Sequence, residues 1–73
     1  MNISEAFGQV LRKYRTEAKL SQEQLALQCD LDRTYIGLLE RAQRQPTITT
    51  IFIICDALKI KPHELIKEIE SLT

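Results

Sequence analysis

The sequence has few of the residues from which catalytic centres and metal sites are built. His63 is the only histidine, and the two cysteines, Cys29 and Cys55, lack the C-x-x-C spacing of a metal or redox site. Glycine occurs only twice, so there is no glycine-rich phosphate loop, and no Cys–His or Ser–His arrangement is discernible. These absences argue against an enzyme, predict no metal and no cofactor, and favour reduced, buried thiols.

Long apolar runs and an excess of one charge are also missing. The longest apolar run, residues 51–55, has five residues, whereas crossing a bilayer takes roughly 18–20. No signal peptide is recognisable, so we expect a cytoplasmic protein without a membrane partner. Ten basic and ten acidic residues cancel, and the net charge gives no indication of a nucleic-acid partner. At 73 residues the chain has room for one domain, residues 1–73.

What the chain does have is apolar residues that recur at steps of three and four. The first such stripe predicts a helix from about residue 4 to 19, and no segment alternates long enough to make a strand. The residues of the five stripes are Phe7, Val10, Leu11, Tyr14 and Ala18; Leu25, Ala26 and Cys29; Ile36 and Leu39; Ile51, Ile54, Cys55 and Leu58; and Leu65, Ile66, Ile69 and Leu72. The sequence therefore predicts an all-α fold, a compact domain of five helices.

The predicted helix starts carry the residues that suit them. Ser21 is a predicted N-cap, and Gln24, three residues later, completes a capping box. Asp32 and Thr47 are predicted to cap the third and fourth helices, and Pro62 fits the first turn of the fifth. Only three or four residues separate the second helix from the third. This spacing is typical of a helix-turn-helix, in which one helix supports another across a DNA groove.

The third helix has an outer face suited to a major groove. Opposite Ile36 and Leu39 it carries Arg33 (at its N-terminal tip), Thr34, Gly37, Leu38 and Arg41. Arginine bonds guanine bidentately, a hydroxyl reaches bases or phosphate, leucine contacts a thymine methyl, and glycine lets the backbone approach closely. A solvated face is the alternative for an isolated helix. The pairing of two capped helices favours DNA.

Three further residues are candidates for contacts with the DNA backbone. Gln22 lies in the first turn of the second helix, where free N–H groups and the helix dipole favour a phosphate. Gln43 and Arg44 follow the third helix. Each of the three is equally compatible with an ordinary solvated surface position.

Several blocks of this chain resemble the phage-repressor and Cro type of helix-turn-helix regulators, the XRE family, over roughly residues 7–70. The blocks are Leu20-Ser21-Gln22-Glu23-x-Leu25-Ala26, Tyr35-Ile36, Glu40-Arg41 and Pro46-Thr47-Ile48-x-Thr50-Ile51. The string Asp32-Arg33-Thr34-Tyr35-Ile36 is also similar to the controller proteins of restriction–modification systems.

The resemblance implies a sequence-specific transcriptional regulator that binds double-stranded operator DNA as a homodimer on a pseudo-palindromic site. It places Gln22 on a phosphate and the outer face of the third helix on bases or backbone, and Tyr35 is included among the candidates. It also pairs the position of Arg15 with that of Glu40, so we expect a buried ion pair between the first and third helices. RNA polymerase is a further candidate partner.

The chain departs from the family pattern at three places. Asp30 stands where the interhelical turn usually has glycine, and aspartate tolerates left-handed geometry. Ala42 replaces the glycine that commonly ends the third helix; alanine at positive φ costs about 1 kcal/mol, so we expect this helix to end differently and to displace Gln43 and Arg44. Phe52 and Ile53 are apolar where polar or variable residues are usual.

Phe52 and Ile53 point away from the inward stripe of the fourth helix, which predicts an exposed apolar surface and a dimer interface. The alternative, a helix buried all round, stays open at this point.

Two other functions also compete with the regulator. One is an antitoxin that binds both DNA and a toxin; the other is an interaction module that has lost DNA binding, against which Arg33 and Arg41 argue.

Overall fold

A computed structural model describes residues 1–73 and contains five α-helices joined by short turns. They are α1 (Ile3–Glu17), α2 (Gln22–Cys29), α3 (Arg33–Glu40), α4 (Ile48–Leu58) and α5 (Pro62–Leu72). The predicted all-α, five-helix architecture is confirmed, with the helix-turn-helix at α2 and α3. None of the helices combines the length and apolar character that a bilayer crossing requires.

The predicted caps form. Ser21 Oγ accepts from the N–H of Gln24 at 3.0 Å, and the Gln24 side chain accepts in return from the N–H of Ser21 at 2.8 Å. Asp32 accepts from the N–H of Thr34, and Thr47 Oγ1 accepts from that of Thr50. The starts of α2, α3 and α4 are thus determined by short-range chemistry already visible in the sequence.

Four helices are followed, one or two positions after their last residue, by a residue in left-handed geometry, and none of the four is a glycine. They are Lys19 (φ 60), Asp30 (φ 55), Ala42 (φ 61) and Lys59 (φ 59). After each, the next N–H bonds back five residues, as when Gln43 N–H donates to Leu38 O at 2.9 Å. The expectation that Ala42 makes α3 end differently is therefore wrong, because this closing bond and the packing of α3 outweigh the cost of positive φ. The turn at Lys19 also ends α1 at Glu17, two residues before the expected end.

The core draws on all five helices and consists of fourteen buried residues: Ala6, Phe7, Val10, Leu11, Leu25, Ala26, Cys29, Ile36, Leu39, Ile54, Cys55, Leu58, Leu65 and Ile69. Both cysteines are buried free thiols, as expected, and burial raises the pKa of each. The spacing predicts that Ala18 and Ile66 face inward, but both are exposed. In α5, Leu65 and Ile69 lie one turn apart and pack into the core. Ile66 therefore faces solvent.

The crossing of α1 and α3 depends on Gly8. A Cβ at this position would lie 2.6 Å from the carbonyl oxygen of Glu40 and 2.7 Å from that of Leu39. The absence of a side chain lets the C-terminal turn of α3 rest directly on the backbone of α1. This contact, together with the packing of α2, fixes the orientation of α3.

Candidate nucleic-acid interface

The outer face of α3 is presented to solvent because its inner face is fully buried. Ile36 and Leu39 are 0% exposed and anchor the helix in the core. Residues 30–32 join α2 to α3, and the left-handed conformation of Asp30 makes this tight turn. The two eight-residue helices therefore form a rigid unit with one exposed face.

The predicted DNA-binding residues fall into three groups by exposure. Arg33, Thr34, Arg41, Gln43 and Arg44 are exposed; Gln22, Tyr35 and Leu38 are half-buried; and Gly37 is buried. Tyr35 packs partly against the core, so its ring helps to hold α3 in place. The solvent-exposed face of α3 thus consists mainly of Arg33, Thr34 and Arg41.

Gly37 does not offer the bare backbone that the sequence predicted. The position of its missing Cβ lies 3.0 Å from Arg41 Nη1 and 3.4 Å from Gln22 Oε1. The ends of these two side chains therefore cover the glycine, and a close approach of DNA to the backbone at this point requires them to move. Because Gly37 has no side chain, the ends of Gln22 and Arg41, two predicted DNA contacts, can lie side by side above it.

Arg33 is free to reorient. Its Nη1 lies 3.9 Å from Glu23 Oε2, with the two side chains 67% and 65% exposed. An ion pair this long and this exposed contributes at most about 1 kcal/mol, and salt screens it further. The guanidinium can therefore leave Glu23 for a stronger partner.

The predicted ion pair between Arg15 and Glu40 is present and extends to Gln22. Arg15 Nε donates to Glu40 Oε2 at 2.6 Å, and Arg15 Nη2 donates to Glu40 Oε1 at 3.0 Å. Glu40 also raises the pKa of Arg15 above its ordinary value. Glu40 Oε1 accepts a further hydrogen bond, from Gln22 Nε2 at 3.1 Å. The buried pair that joins α1 to α3 thus also holds a side chain at the start of α2.

The first turn of α2 has unused hydrogen-bond donors. The N–H of Gln24 is taken by Ser21, whereas those of Gln22 and Glu23 have no acceptor within the chain. Free N–H groups at a helix N-terminus favour an anion such as a phosphate. This is where the sequence predicts that Gln22 contacts the DNA backbone.

A second surface, which we call the apolar face of α4, consists of Ile48, Phe52 and Ile53. These side chains are 69%, 56% and 39% exposed. The expectation that Phe52 and Ile53 lie outside the core is confirmed, and the alternative of a helix buried all round is excluded. Sequence reasoning missed Ile48, although its spacing of four from Phe52 places both on one side of a helix. Ile66 and Ile3, also exposed, border a cleft of about 130 Å³ beside this helix.

Comparison with known families and proteins gives a consistent result. A family model described as helix-turn-helix matches residues 11–65. Control protein C.BamHI of Bacillus amyloliquefaciens is 42% identical over 66 residues, which cover 89% of this chain and 82% of that protein.

Solved structures agree with the sequence relatives. The crystal structure of the restriction–modification controller protein C.AhdI from Aeromonas hydrophila superposes with a TM-score of 0.82 at 47% identity, covering 85% of this chain and 94% of its own. The controller protein C.Esp1396I, as a tetramer in complex with its natural 35 base-pair operator, gives a TM-score of 0.82 at 37% identity, covering 94% and 96%.

Proposed function

The chain belongs to the helix-turn-helix family of the XRE type and is a relative of restriction–modification control proteins, and from this premise we propose how it works. It is a sequence-specific transcriptional regulator that binds double-stranded operator DNA as a homodimer. The genes it controls are those of a restriction–modification system.

The observation that carries this proposal is the outer face of α3. Arg33, Thr34 and Arg41 are exposed on a helix whose opposite side is anchored in the core and whose neighbour α2 crosses it. A major groove admits an α-helix, and arginine and threonine are side chains that read base edges there. Leu38, half-buried beside them, is the candidate for a thymine methyl.

Contacts to the DNA backbone flank this helix. Gln22 and the free N–H groups start α2, where Gln22 Nε2 bonds to Glu40 in the last turn of α3, and Gln43 and Arg44 follow the end of α3. Such contacts fix the register of a protein on the duplex without reading its sequence. Arg44 supplies one positive charge here, in a chain whose ten basic and ten acidic residues cancel overall.

The apolar face of α4 supports the homodimer. Ile48, Phe52 and Ile53 are large apolar side chains exposed on one helix, and such a patch usually marks a partner site. Two recognition helices must lie about 34 Å apart to read successive turns of one DNA face. Two copies of a domain that measures 29 × 24 × 22 Å, paired side by side, span more than this distance, so a dimer has room for two helices at that spacing. A two-fold pair predicts a pseudo-palindromic site.

The antitoxin alternative has no observation in its favour, because the relatives are named as control proteins and a phage immunity repressor. A DNA-bound dimer works in the cytoplasm with the DNA it regulates. RNA polymerase is the partner that such a dimer would meet beside a promoter.

Selection of bound sites from a random DNA pool tests the proposed function. We expect enrichment of a pseudo-palindrome with half-sites one helical turn apart, and affinity that falls steeply as salt rises. A folded Arg33→Ala/Arg41→Ala variant is the control and should enrich no sequence. A pool that stays random with the parent protein would refute the proposal.

A further inference from the structure

Three side chains link the interior to the DNA-facing surface in one chain of hydrogen bonds. The Glu40 carboxylate is only 4% exposed and is held by two hydrogen bonds from Arg15. Arg15 is fixed in turn, because its Nη1 donates to the carbonyl oxygen of Leu20 at 2.8 Å. The rigid carboxylate then accepts from Gln22 Nε2. Gln22 is thus tied to the interior although its side chain lies at the surface.

This bond decides which way the Gln22 amide faces. A carboxylate only accepts hydrogen bonds, so it must meet the NH₂ group of the amide and leave the carbonyl pointing away from it. The Gln22 carbonyl oxygen accordingly lies on the other side, 3.4 Å from the position where Gly37 would have a Cβ. Arg41 Nη1 lies 3.0 Å from the same point.

We propose that Glu40 and Gly37 pre-position Gln22 and Arg41 as a pair for DNA recognition. Glu40 is a positioning residue that fixes the orientation of the Gln22 amide, and Gly37 leaves the space in which both side-chain ends lie. Glu40 takes one N–H of the Gln22 amide, so the second N–H and the Arg41 guanidinium are left to donate to one phosphate, and both elements of the helix-turn-helix contribute to that contact. This role rests on the proposed function, since it concerns how DNA is bound.

A substitution at Gly37 separates recognition from folding. The nearest atoms are the ends of two flexible side chains, so Gly37→Val should leave the fold intact and shift the melting temperature by no more than a few degrees. It should displace Gln22 and Arg41 and lower the affinity for the selected operator about tenfold, the loss expected for one good contact. In the Gln22→Ala/Arg41→Ala background, the same substitution should change affinity little.

The orientation of Gln22 has its own readout. The side-chain NH₂ signals of Gln22 in a nuclear magnetic resonance spectrum of the free protein should be displaced from those of freely rotating glutamines. They should return to the free position in Arg15→Met/Glu40→Leu, which replaces the buried pair by apolar side chains and can keep the fold. The affinity of that double variant should fall to the level of Gln22→Ala.

The outcomes distinguish this role from the proposed function. If the parent selects no DNA sequence, the proposed function fails, and the role in recognition fails with it. If the parent selects a sequence but Gly37→Val costs the same in both backgrounds, DNA binding stands and pre-positioning is overturned. Gln22 signals at the free position in the parent would overturn it as well.

Discussion

Arg15 and Glu40 join α1 to α3 by two parallel hydrogen bonds, although their side chains are only 11% and 4% exposed. With so little contact with water, each charge depends on the other for its stability. Such a pair need not stabilise a fold more than apolar residues of the same volume would, but breaking it is costly.

Removing one member of this pair should destabilise the protein strongly. We expect Glu40→Ala to lower the free energy of unfolding by about 3–5 kcal/mol, measured by urea denaturation, because it leaves a buried guanidinium without a partner. Glu23→Ala is the matched control, since its exposed pair with Arg33 contributes at most about 1 kcal/mol. Equal effects of the two substitutions would contradict a buried pair.

Gly8 should tolerate no side chain. Although alanine is a better helix former than glycine by about 1 kcal/mol, Gly8→Ala drives a methyl group into two backbone carbonyls of α3. We expect the steric clash to outweigh the gain in helix propensity, so the free energy of unfolding should fall by about 1–3 kcal/mol. Gly37→Ala, where only flexible side chains are near, should be neutral or stabilising. Thermal unfolding of both variants gives the comparison, and a stabilised Gly8→Ala would show that α1 and α3 are further apart.

Arg33 and Gln22 should differ in what they do for DNA binding. Arg33→Ala is expected to cost about 1–3 kcal/mol on the selected operator and to relax specificity at one position per half-site. Gln22→Ala should weaken binding to operator and random DNA by a similar factor, since a phosphate contact carries no sequence information. Fluorescence anisotropy with both duplexes measures each. If Arg33→Ala lowers the affinity for both duplexes by the same factor, Arg33 does not read a base.

The apolar face of α4 should control the oligomeric state. We expect the parent to sediment as a dimer at micromolar concentration and Ile53→Glu to sediment as a folded monomer, because burying a carboxylate in an apolar interface is costly. Leu27 is 76% exposed on α2, so Leu27→Glu is a control that should remain dimeric. A monomeric parent, or a dimeric Ile53→Glu, would remove this face from the interface.

The stability contributed by Glu68 should depend on pH at both extremes. Hydrogen bonds from Lys13 and then Tyr14 hold the pKa of Glu68 below its ordinary value of 4.5, and Glu68 raises the pKa of Tyr14 to about 12. A lowered carboxylate pKa means that this contribution is present above pH 4.5 and lost as the pH falls further. A raised tyrosine pKa means that it is present below pH 10 and lost toward pH 12.

Urea unfolding of the parent and of Glu68→Gln across this range measures the effect. The two should differ most near neutral pH and converge in acid, because protonated Glu68 can no longer bind Lys13 as a charge. A difference that stays constant from pH 7 down to about pH 3 would mean that Glu68 acts through its shape alone.

Local chemistry made the helix starts predictable. Ser21, Asp32 and Thr47 act through bonds to residues two or three positions away, so the sequence already contains both partners. The positive φ of Ala42 could not be predicted in this way. Locally, positive φ costs alanine about 1 kcal/mol, which argues against this conformation. The packing of α3 against α1 offsets that cost, and it cannot be read from the local sequence.

The residues of the candidate site were predicted one by one, but of the contacts that support them only the pair of Arg15 and Glu40 was predicted. The exposed positions of Arg33, Thr34 and Arg41 follow from helical periodicity alone. The bond between Gln22 and Glu40 joins residues eighteen positions apart on different helices, and the cover over Gly37 depends on rotamers. Such contacts require the angle between α2 and α3, which no periodic pattern contains.

The short helices and their glycine-free ends have a consequence for how much active protein a cell holds. An isolated helix of eight residues, the length of α2 and of α3, is unstable in water, and turns at Asp30 or Ala42 form only against the rest of the chain. The recognition helix therefore exists only in molecules that are folded throughout. A substitution far from the DNA that costs about 1–2 kcal/mol can change protein abundance several-fold. Gene dosage, promoter strength and folding stability thus act on the same quantity, the concentration of intact regulator.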